Sequence, residues 1–174
     1  MVISFKLNGE ATLVDTLPNA RLSSILRKNF GLKSVKISSF DGLKGSDCVL
    51  LDDTVVPSSL IPLFNVENRE VVTLEYFSND KLYSQEYKLI MKYFKENDVS
   101  LCGFCDSGKI FAAYKLLKSN LDEEDPNFEA KIKQCYSLSL CRCTVVKNLL
   151  KATKEIISFS AKSKRSINYG RKNI

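Results

Sequence analysis

The 174-residue chain contains no histidine. A protein without imidazole cannot use a Ser–His or Cys–His pair as a nucleophile, and it has no imidazole proton shuttle. Rieske-type iron ligation and every zinc site that includes histidine are excluded for the same reason. Any metal that this chain binds must therefore be held by sulfur and oxygen atoms.

Long hydrophobic runs are also missing. No apolar stretch approaches the roughly 18 residues that a helix needs to span a bilayer, so no membrane partner is expected. The N-terminal stretch "MVISFKLNGE" turns polar too early for a signal peptide, which predicts a cytoplasmic protein. In that reducing compartment, the six cysteines are expected to be metal ligands or buried thiols rather than disulfides.

The net charge of +6 is distributed unevenly along the chain. Residues 1–79 carry 8 basic and 9 acidic side chains, which gives −1, whereas residues 80–174 carry 18 and 11, which gives +7. Part of this excess lies in a C-terminal segment, residues 159–174, that contains Lys162, Lys164, Arg165, Arg171 and Lys172. We interpret this segment as a solvated, partly disordered basic tail and expect no nucleic-acid partner.

The first half of the chain has the period of strands. Two alternating runs, "VISFKL" and "EATLV", flank Asn8-Gly9, which is a strong β-hairpin signal. "CVLLDDTVV" and "EVVTLEYF" predict later strands. After the hairpin and before these strands, a helix that stops at Gly31 is predicted from apolar residues at helical spacing, namely Leu22, Ile25, Leu26 and Phe30. This pattern indicates an α+β sheet domain with a helix on one face.

The second half has the period of helices. The first predicted helix follows the stripe from Leu82 to Phe94, and the second begins near Ser107. The third has Asp125 as its N-cap and Pro126 at its first position, and the fourth follows Val146. Four helices with short links predict a small bundle. We therefore divide the chain into residues 1–79, residues 80–158 and the tail at residues 159–174.

Four of the cysteines lie in two pairs, each just before a predicted helix: Cys102 and Cys105, then Cys141 and Cys143. Free N–H groups and the positive end of the helix dipole stabilise thiolates at such positions. A four-cysteine site at two helix starts suits a [2Fe–2S] cluster or structural zinc, and "CGFC" alone also fits a redox dithiol. Cys48 and Cys135 are expected to be buried apolar side chains.

The segments "CGFCDSGKIFAAYKLL" and "LCRCTVVKNLLKA" resemble the helical domain of iron–sulfur small subunits in the xanthine dehydrogenase (molybdenum hydroxylase) family, which includes the carbon monoxide dehydrogenase small subunit. "VLLDDTVVPSSLIPL" and "VVTLEYF" resemble the end of that family's ferredoxin-like domain. The resemblance implies a β-grasp, ferredoxin-like domain followed by an all-α four-helix domain. In the second domain, the matching ligands of one [2Fe–2S] cluster are Cys102, Cys105, Cys141 and Cys143.

The chain departs from this family in the first domain. There the family binds a second cluster through cysteines with C-x4-C-x2-C spacing and a distant fourth cysteine. Aligned on "VLLDD", the loop glycines Gly42 and Gly45 are retained, but the four ligand positions hold Ser39, Lys44, Asp47 and Ser59. We therefore expect a first domain without cluster ligands and a single cluster in the whole chain.

The resemblance also implies a function. In the family, substrate is oxidised on a molybdopterin-binding large subunit, and electrons then pass through the helical-domain cluster and the β-grasp cluster to a flavin. This chain is accordingly interpreted as an electron-transfer subunit that is not itself an enzyme, with a molybdopterin-binding large subunit and an FAD subunit as expected partners. The alternative is a non-redox scaffold or regulatory protein derived from that subunit, with zinc or no metal at the four cysteines.

Overall fold

The computed structural model describes residues 1–119, 121–137 and 143–170, and for residues 162–170 it describes the backbone alone. These ranges contain a five-stranded sheet and six α-helices. The strands are β1 (Val2–Leu7), β2 (Glu10–Asp15), β3 (Cys48–Leu51), β4 (Thr54–Pro57) and β5 (Glu70–Val72). The helices are α1 (Leu22–Lys28), α2 (Leu74–Asn79), α3 (Ser84–Glu96), α4 (Asp106–Lys118), α5 (Phe128–Cys135) and α6 (Val146–Gly170).

The sheet has the strand order β2-β1-β5-β3-β4, and β1 and β5 are its parallel neighbours. The predicted hairpin is confirmed, because β1 and β2 pair antiparallel across Asn8 and Gly9, whose φ angles are 52° and 86°. A second hairpin joins β3 to β4 through Asp52 and Asp53, with φ angles of 45° and 63°. Left-handed residues at both turn positions match the twist of the paired strands.

Helix α1 covers one face of the sheet and contributes to the first hydrophobic core. Leu22, Ile25 and Leu26 are buried there among strand residues, as predicted. Phe30, which was predicted on the same stripe, lies beyond the helix and is 37% exposed. The helix ends because Gly31 adopts a φ of 64° and the Leu32 N–H donates back to the Leu26 carbonyl at 3.0 Å.

The prediction of a single strand over "EVVTLEYF" is wrong in its second half, where α2 begins at Leu74. The strand stops at Thr73, whose N–H donates to Asn8 Oδ1 at 2.9 Å. Glu75, in the first turn of α2, accepts hydrogen bonds from the Ser34 N–H at 2.7 Å and from Ser34 Oγ at 2.5 Å. Burial opposes ionisation of Glu75, but the bonds from Ser34 lower the pKa of this carboxyl below its ordinary value.

A second hydrophobic core lies among the helices. Ile90 and Phe94 of α3 are buried in it, as are the α4 residues that periodicity predicted: Ile110, Phe111, Tyr114 and Leu117. The Phe77 ring of α2 belongs to this core, with its centroid 5.3 Å from that of Phe111 and 5.0 Å from that of Tyr114. The division at residues 79/80 stays a prediction.

Helix α4 packs directly on the sheet domain. A Cβ atom at Gly108 would lie 2.4 Å from the Gly45 carbonyl oxygen. The backbone of α4 can therefore approach the loop backbone this closely only because residue 108 is glycine. Ser107 Oγ donates to that carbonyl at 3.3 Å. Farther along α4, Tyr114 Oη donates to Asp53 Oδ1 at 2.8 Å. The start of α4, which follows the first cysteine pair, is thereby fixed against the loop at residues 39–47.

Two helix boundaries differ from the predictions. Helix α5 begins at Phe128 rather than after an Asp125 N-cap, because Asp125 forms a turn in which its Oδ1 accepts the Asn127 N–H at 2.7 Å. Helix α6 runs on to Gly170, so residues 159–170 of the predicted tail continue that helix, and residues 171–174 lie outside the described ranges. Across the described chain, no helix combines the length and apolar character that a membrane crossing requires.

The aromatic cluster around Phe77 gives a test of the second core. Phe77 is fully buried, so Phe77→Ala leaves a cavity and is expected to lower the free energy of unfolding by about 3–5 kcal/mol. The measurement is urea denaturation followed by circular dichroism. Phe64→Ala is the control, because Phe64 is 49% exposed and its replacement should cost much less. Equal losses for the two variants would contradict this assignment of the core.

Candidate metal centre

The first cysteine pair lies in the turn that enters α4. Cys105 is the N-cap residue of the helix and is 6% exposed, whereas Cys102 is exposed. Gly103 has a φ of 84°, and its N–H donates to Asp106 Oδ2 at 2.8 Å. This bond folds the turn back over the first residue of α4. As the N-cap residue, Cys105 lies at the end of α4 where the first N–H groups have no acceptor within the helix.

The second pair is described only in part. Cys143 is exposed and lies three residues before Val146, where α6 begins, while the predicted ligand Cys141 lies outside the described residues. Within the described ranges, no three cysteine, aspartate or glutamate side chains form a group that could hold a metal ion. The set of four ligands accordingly stays a prediction. Its donor chemistry, thiols at two helix starts, fits a tetrahedral sulfur-bound centre such as a [2Fe–2S] cluster or zinc.

A buried lysine joins the two cysteine-bearing segments. Lys109 Nζ donates to the Ser100 carbonyl at 2.7 Å and to Thr144 Oγ1 at 2.7 Å. Thr144 Oγ1 in turn donates to the same Ser100 carbonyl at 2.6 Å. Ser100 precedes Cys102 by two residues, and Thr144 directly follows Cys143. These bonds hold the segment that leads into α4 against the segment that leads into α6.

Sequence reasoning missed Lys109. The signal was available, because Lys109 lies on the buried face of α4, at helical spacing from Ala113 and Leu116. A lysine on such a face requires polar acceptors inside the protein.

The loop where the ferredoxin-like domain of the family binds iron is closed by protein contacts. Asp47 is 3% exposed, and its Oδ2 accepts the Ser59 N–H at 2.7 Å. Ser58 Oγ donates to the Asp47 carbonyl at 2.6 Å. Ser39 Oγ donates to Asp41 Oδ1 at 2.5 Å. The third and fourth ligand positions, Asp47 and Ser59, are thus bonded to each other.

Further contacts close the same loop from outside. Arg21 donates to the Ser59 carbonyl at 3.0 Å, and its guanidinium carbon lies 4.2 Å from the centroid of the Phe40 ring. At Gly42, a Cβ atom would lie 2.6 Å from the Leu60 side chain, so the loop packs tightly against the segment that follows β4. Lys44, at the second ligand position, is exposed to solvent. Together these residues present no sulfur donor.

The two remaining cysteines line the same cleft. Cys48 is buried, as expected, and burial raises the pKa of its thiol to about 12. Cys135 is only partly buried, and burial raises the pKa of its thiol while the Lys115 charge opposes that rise. Both line a cleft of 460 Å³ between the sheet and the helices, with Lys115 at its wall. A raised pKa disfavours the thiolate form that binds metals.

Comparison with known proteins places the chain in a family. Residues 73–154 match the family model described as "[2Fe-2S] binding domain". The nicotinate dehydrogenase small FeS subunit of Eubacterium barkeri is 34% identical over 144 residues, which cover 83% of this chain and 87% of that subunit. The chain belongs to the iron–sulfur subunits of the xanthine dehydrogenase-like molybdenum hydroxylases. The family expected from the cysteine motifs is thereby confirmed, and with it an iron–sulfur cofactor.

Other relatives show how this iron–sulfur subunit relates to longer enzymes. Xanthine dehydrogenase of Dictyostelium discoideum is 35% identical over 167 residues, which cover 86% of this chain but 12% of that enzyme. A chain of quinoline 2-oxidoreductase from Pseudomonas putida 86 has the same fold, with a TM-score of 0.74 and 24% identity over 93% of this chain and 96% of that chain. The expected α+β fold, a sheet domain followed by helices, is confirmed by this likeness.

The ligand assignment in this iron–sulfur subunit can be tested one cysteine at a time. Alanine at any of the four paired positions is expected to abolish the visible absorption of the cluster, because each removes one of four ligands. The variants are Cys102→Ala, Cys105→Ala, Cys141→Ala and Cys143→Ala. Cys48→Ala and Cys135→Ala are the matched controls and should keep the spectrum of the parent protein. A bleached Cys135→Ala variant would show that the assignment is wrong.

The closed loop gives a separate prediction about stability. Asp47→Ala leaves the buried Ser59 N–H without its acceptor, which is expected to cost about 1–3 kcal/mol of the free energy of unfolding. Asp47→Asn keeps a carbonyl oxygen at this position and should cost less. Glu67→Ala, at an exposed carboxylate in the same half of the chain, serves as the control in urea denaturation. An Asp47→Ala variant as stable as the parent protein would contradict a structural role for this bond.

Proposed function

We propose that this chain is an electron-transfer subunit that carries a single [2Fe–2S] cluster. The ligands are the thiolates of Cys102, Cys105, Cys141 and Cys143, at the starts of α4 and α6. The cluster accepts and donates one electron at a time when bound. The turn at Gly103 orients the first pair of thiolates, and the helix starts supply N–H groups near the ligands. Lys109 joins the segment that leads into α4 to the segment that leads into α6.

The observation that carries the single-cluster proposal is the buried bond between Asp47 and the Ser59 N–H. It occupies two of the four positions where a plant-type cluster has cysteines, so the loop there keeps its shape without iron. Lys44 adds an ammonium group, which cannot ligate iron and repels it electrostatically. Ser39 already donates its hydroxyl to Asp41.

The partner that we propose is a molybdopterin-binding large subunit that supplies the electrons. Relatives of similar length are named as small subunits, among them the nicotinate dehydrogenase small FeS subunit and the nicotine 6-hydroxylase small subunit of Paenarthrobacter nicotinovorans. The matched part is 12% of the Dictyostelium discoideum xanthine dehydrogenase, and we propose that the substrate chemistry belongs to the large subunit. No residue of this chain is proposed as catalytic.

The route of the electron beyond the remaining cluster is part of the proposal. Electron tunnelling slows steeply with distance, so a missing intermediate centre reduces the rate by orders of magnitude. A flavin docked beside the closed loop would receive electrons slowly, since Ser39, Lys44, Asp47 and Ser59 offer no redox centre. We propose that an FAD subunit or another acceptor reaches the helical-domain cluster directly.

A second candidate function is a non-redox scaffold or regulatory subunit with zinc at the four-cysteine site or no metal. It is favoured by the contacts of Arg21 and Asp47, which preserve the sheet domain without a redox centre. Metal analysis separates the two functions.

The one-cluster proposal predicts about two iron atoms per chain after anaerobic purification, because one set of four cysteines remains. The measurements are iron and zinc content, the visible spectrum and electron paramagnetic resonance, where a single rhombic signal is expected on reduction. Stoichiometric zinc without iron would reject electron transfer and support the scaffold.

The control for the number of clusters is a variant with cysteine restored at all four lost positions: Ser39→Cys, Lys44→Cys, Asp47→Cys and Ser59→Cys. Its iron content is expected to approach twice that of the parent chain, with a second signal in the reduced spectrum. A parent chain that already contained two clusters would contradict the proposal.

A further inference from the structure

Lys109 is fully buried, with a relative exposure of 0%. An ammonium group removed from water loses its hydration, and this loss is large unless an opposite charge is close. The acceptors of Lys109 are a carbonyl and a hydroxyl, both neutral. None of the ion pairs found among the described residues includes Lys109.

Asp106, which precedes Lys109 by one helical turn, forms no ion pair with it. Asp106 Oδ2 accepts the Gly103 N–H, and Asp106 Oδ1 is buried without a hydrogen-bond partner among the described residues. Among the described residues, no carboxylate oxygen lies within 4 Å of Lys109 Nζ.

Lys109 contacts the segments that carry the predicted cluster ligands. Its backbone N–H donates to the Cys105 carbonyl at 3.4 Å, and its side chain is bonded to Ser100, two residues before Cys102, and to Thr144, which directly follows Cys143. Three of the four thiols thus belong to segments that Lys109 touches. A four-thiolate [2Fe–2S] cluster carries net negative charge, and reduction adds one more electron to it.

We propose that the Lys109 ammonium is the internal counter-charge of this cluster, and that it raises the reduction potential by stabilising the reduced form more than the oxidised form. The inference rests on the proposed function, because it requires the four cysteines to hold an iron–sulfur cluster. The electron comes from the large subunit in the complex, or from dithionite in the test, and no proton or covalent bond is exchanged. Lys109 is therefore a positioning and charge-compensating residue.

The test is a redox titration of the purified chain, followed by the visible and electron paramagnetic resonance spectra. Lys109→Met keeps the length and apolar stem but removes the charge. It is expected to lower the equilibrium constant for one-electron reduction about tenfold, which corresponds to a potential about 59 mV more negative. Lys109→Arg keeps the charge and should restore most of this shift. Lys115→Met, at an exposed lysine on the same helix, should change the constant less than twofold.

The possible results distinguish failure of the counter-charge role of Lys109 from failure of the proposed electron-transfer function. A parent chain without an iron–sulfur cluster overturns both. A parent chain with the cluster, and a Lys109→Met variant with an unchanged potential, overturns the inference alone. Should Lys109→Met fail to retain the cluster, Lys109→Gln and Lys109→Arg decide. Loss of the cluster in both uncharged variants but not in Lys109→Arg supports a role of the charge, whereas loss in all three reduces Lys109 to a packing role and overturns the inference.

Discussion

The close approach of α4 to the loop of the sheet domain is the contact on which the rest of the molecule depends. It exists because Gly108 has no Cβ, which lets the helix backbone reach the Gly45 carbonyl. From this fixed start, α4 presents Cys105 at its N-cap and Lys109 to the segments of the second cysteine pair. The same helix contributes Phe111 and Tyr114 to the aromatic cluster of the second core. The first turn of α4 therefore contributes both to the candidate metal site and to the interface between the sheet and the helices.

The loop at residues 39–47 shows how protein groups can take over the structural part of a metal site. A cluster would tie this loop to residue 59 through metal–sulfur bonds. Here the tie consists of the Asp47 carboxylate on the Ser59 N–H, and of Arg21 between the Ser59 carbonyl and the Phe40 ring. Hydrogen bonds with one charged partner are each worth a few kcal/mol at most, so several are needed. They preserve the shape of the loop but supply no redox chemistry.

The elements that periodicity predicted well are those whose local signal agrees with their tertiary surroundings. The Asn8-Gly9 hairpin and the buried stripes of α3 and α4 are of this kind. The strand predicted beyond Thr73 failed because "LEYF" has strand-like residues, yet the bonds of Glu75 to Ser34 and the burial of Phe77 favour a helix there. Such long-range contacts leave no local pattern.

For the candidate site, the cysteine motifs were sufficient to predict the family and the helix starts, but not the buried polar contacts around Lys109. Lys109 was invisible to motif reasoning, since its partners lie 9 and 35 residues away in the chain. The four-ligand set and the domain boundary stay predictions, and Cys141 lies outside the described residues.

Helix α4 is attached to the sheet domain at two points, through Ser107 at the Gly45 carbonyl and through Tyr114 at Asp53. Seven residues separate the two points, which is about 10 Å along a helix axis. A single attachment would act as a pivot, but two attachments at this separation oppose rocking of the helix about either one. The first cysteine pair, at the start of α4, is therefore held at a defined position relative to the sheet by contacts that lie outside the metal site.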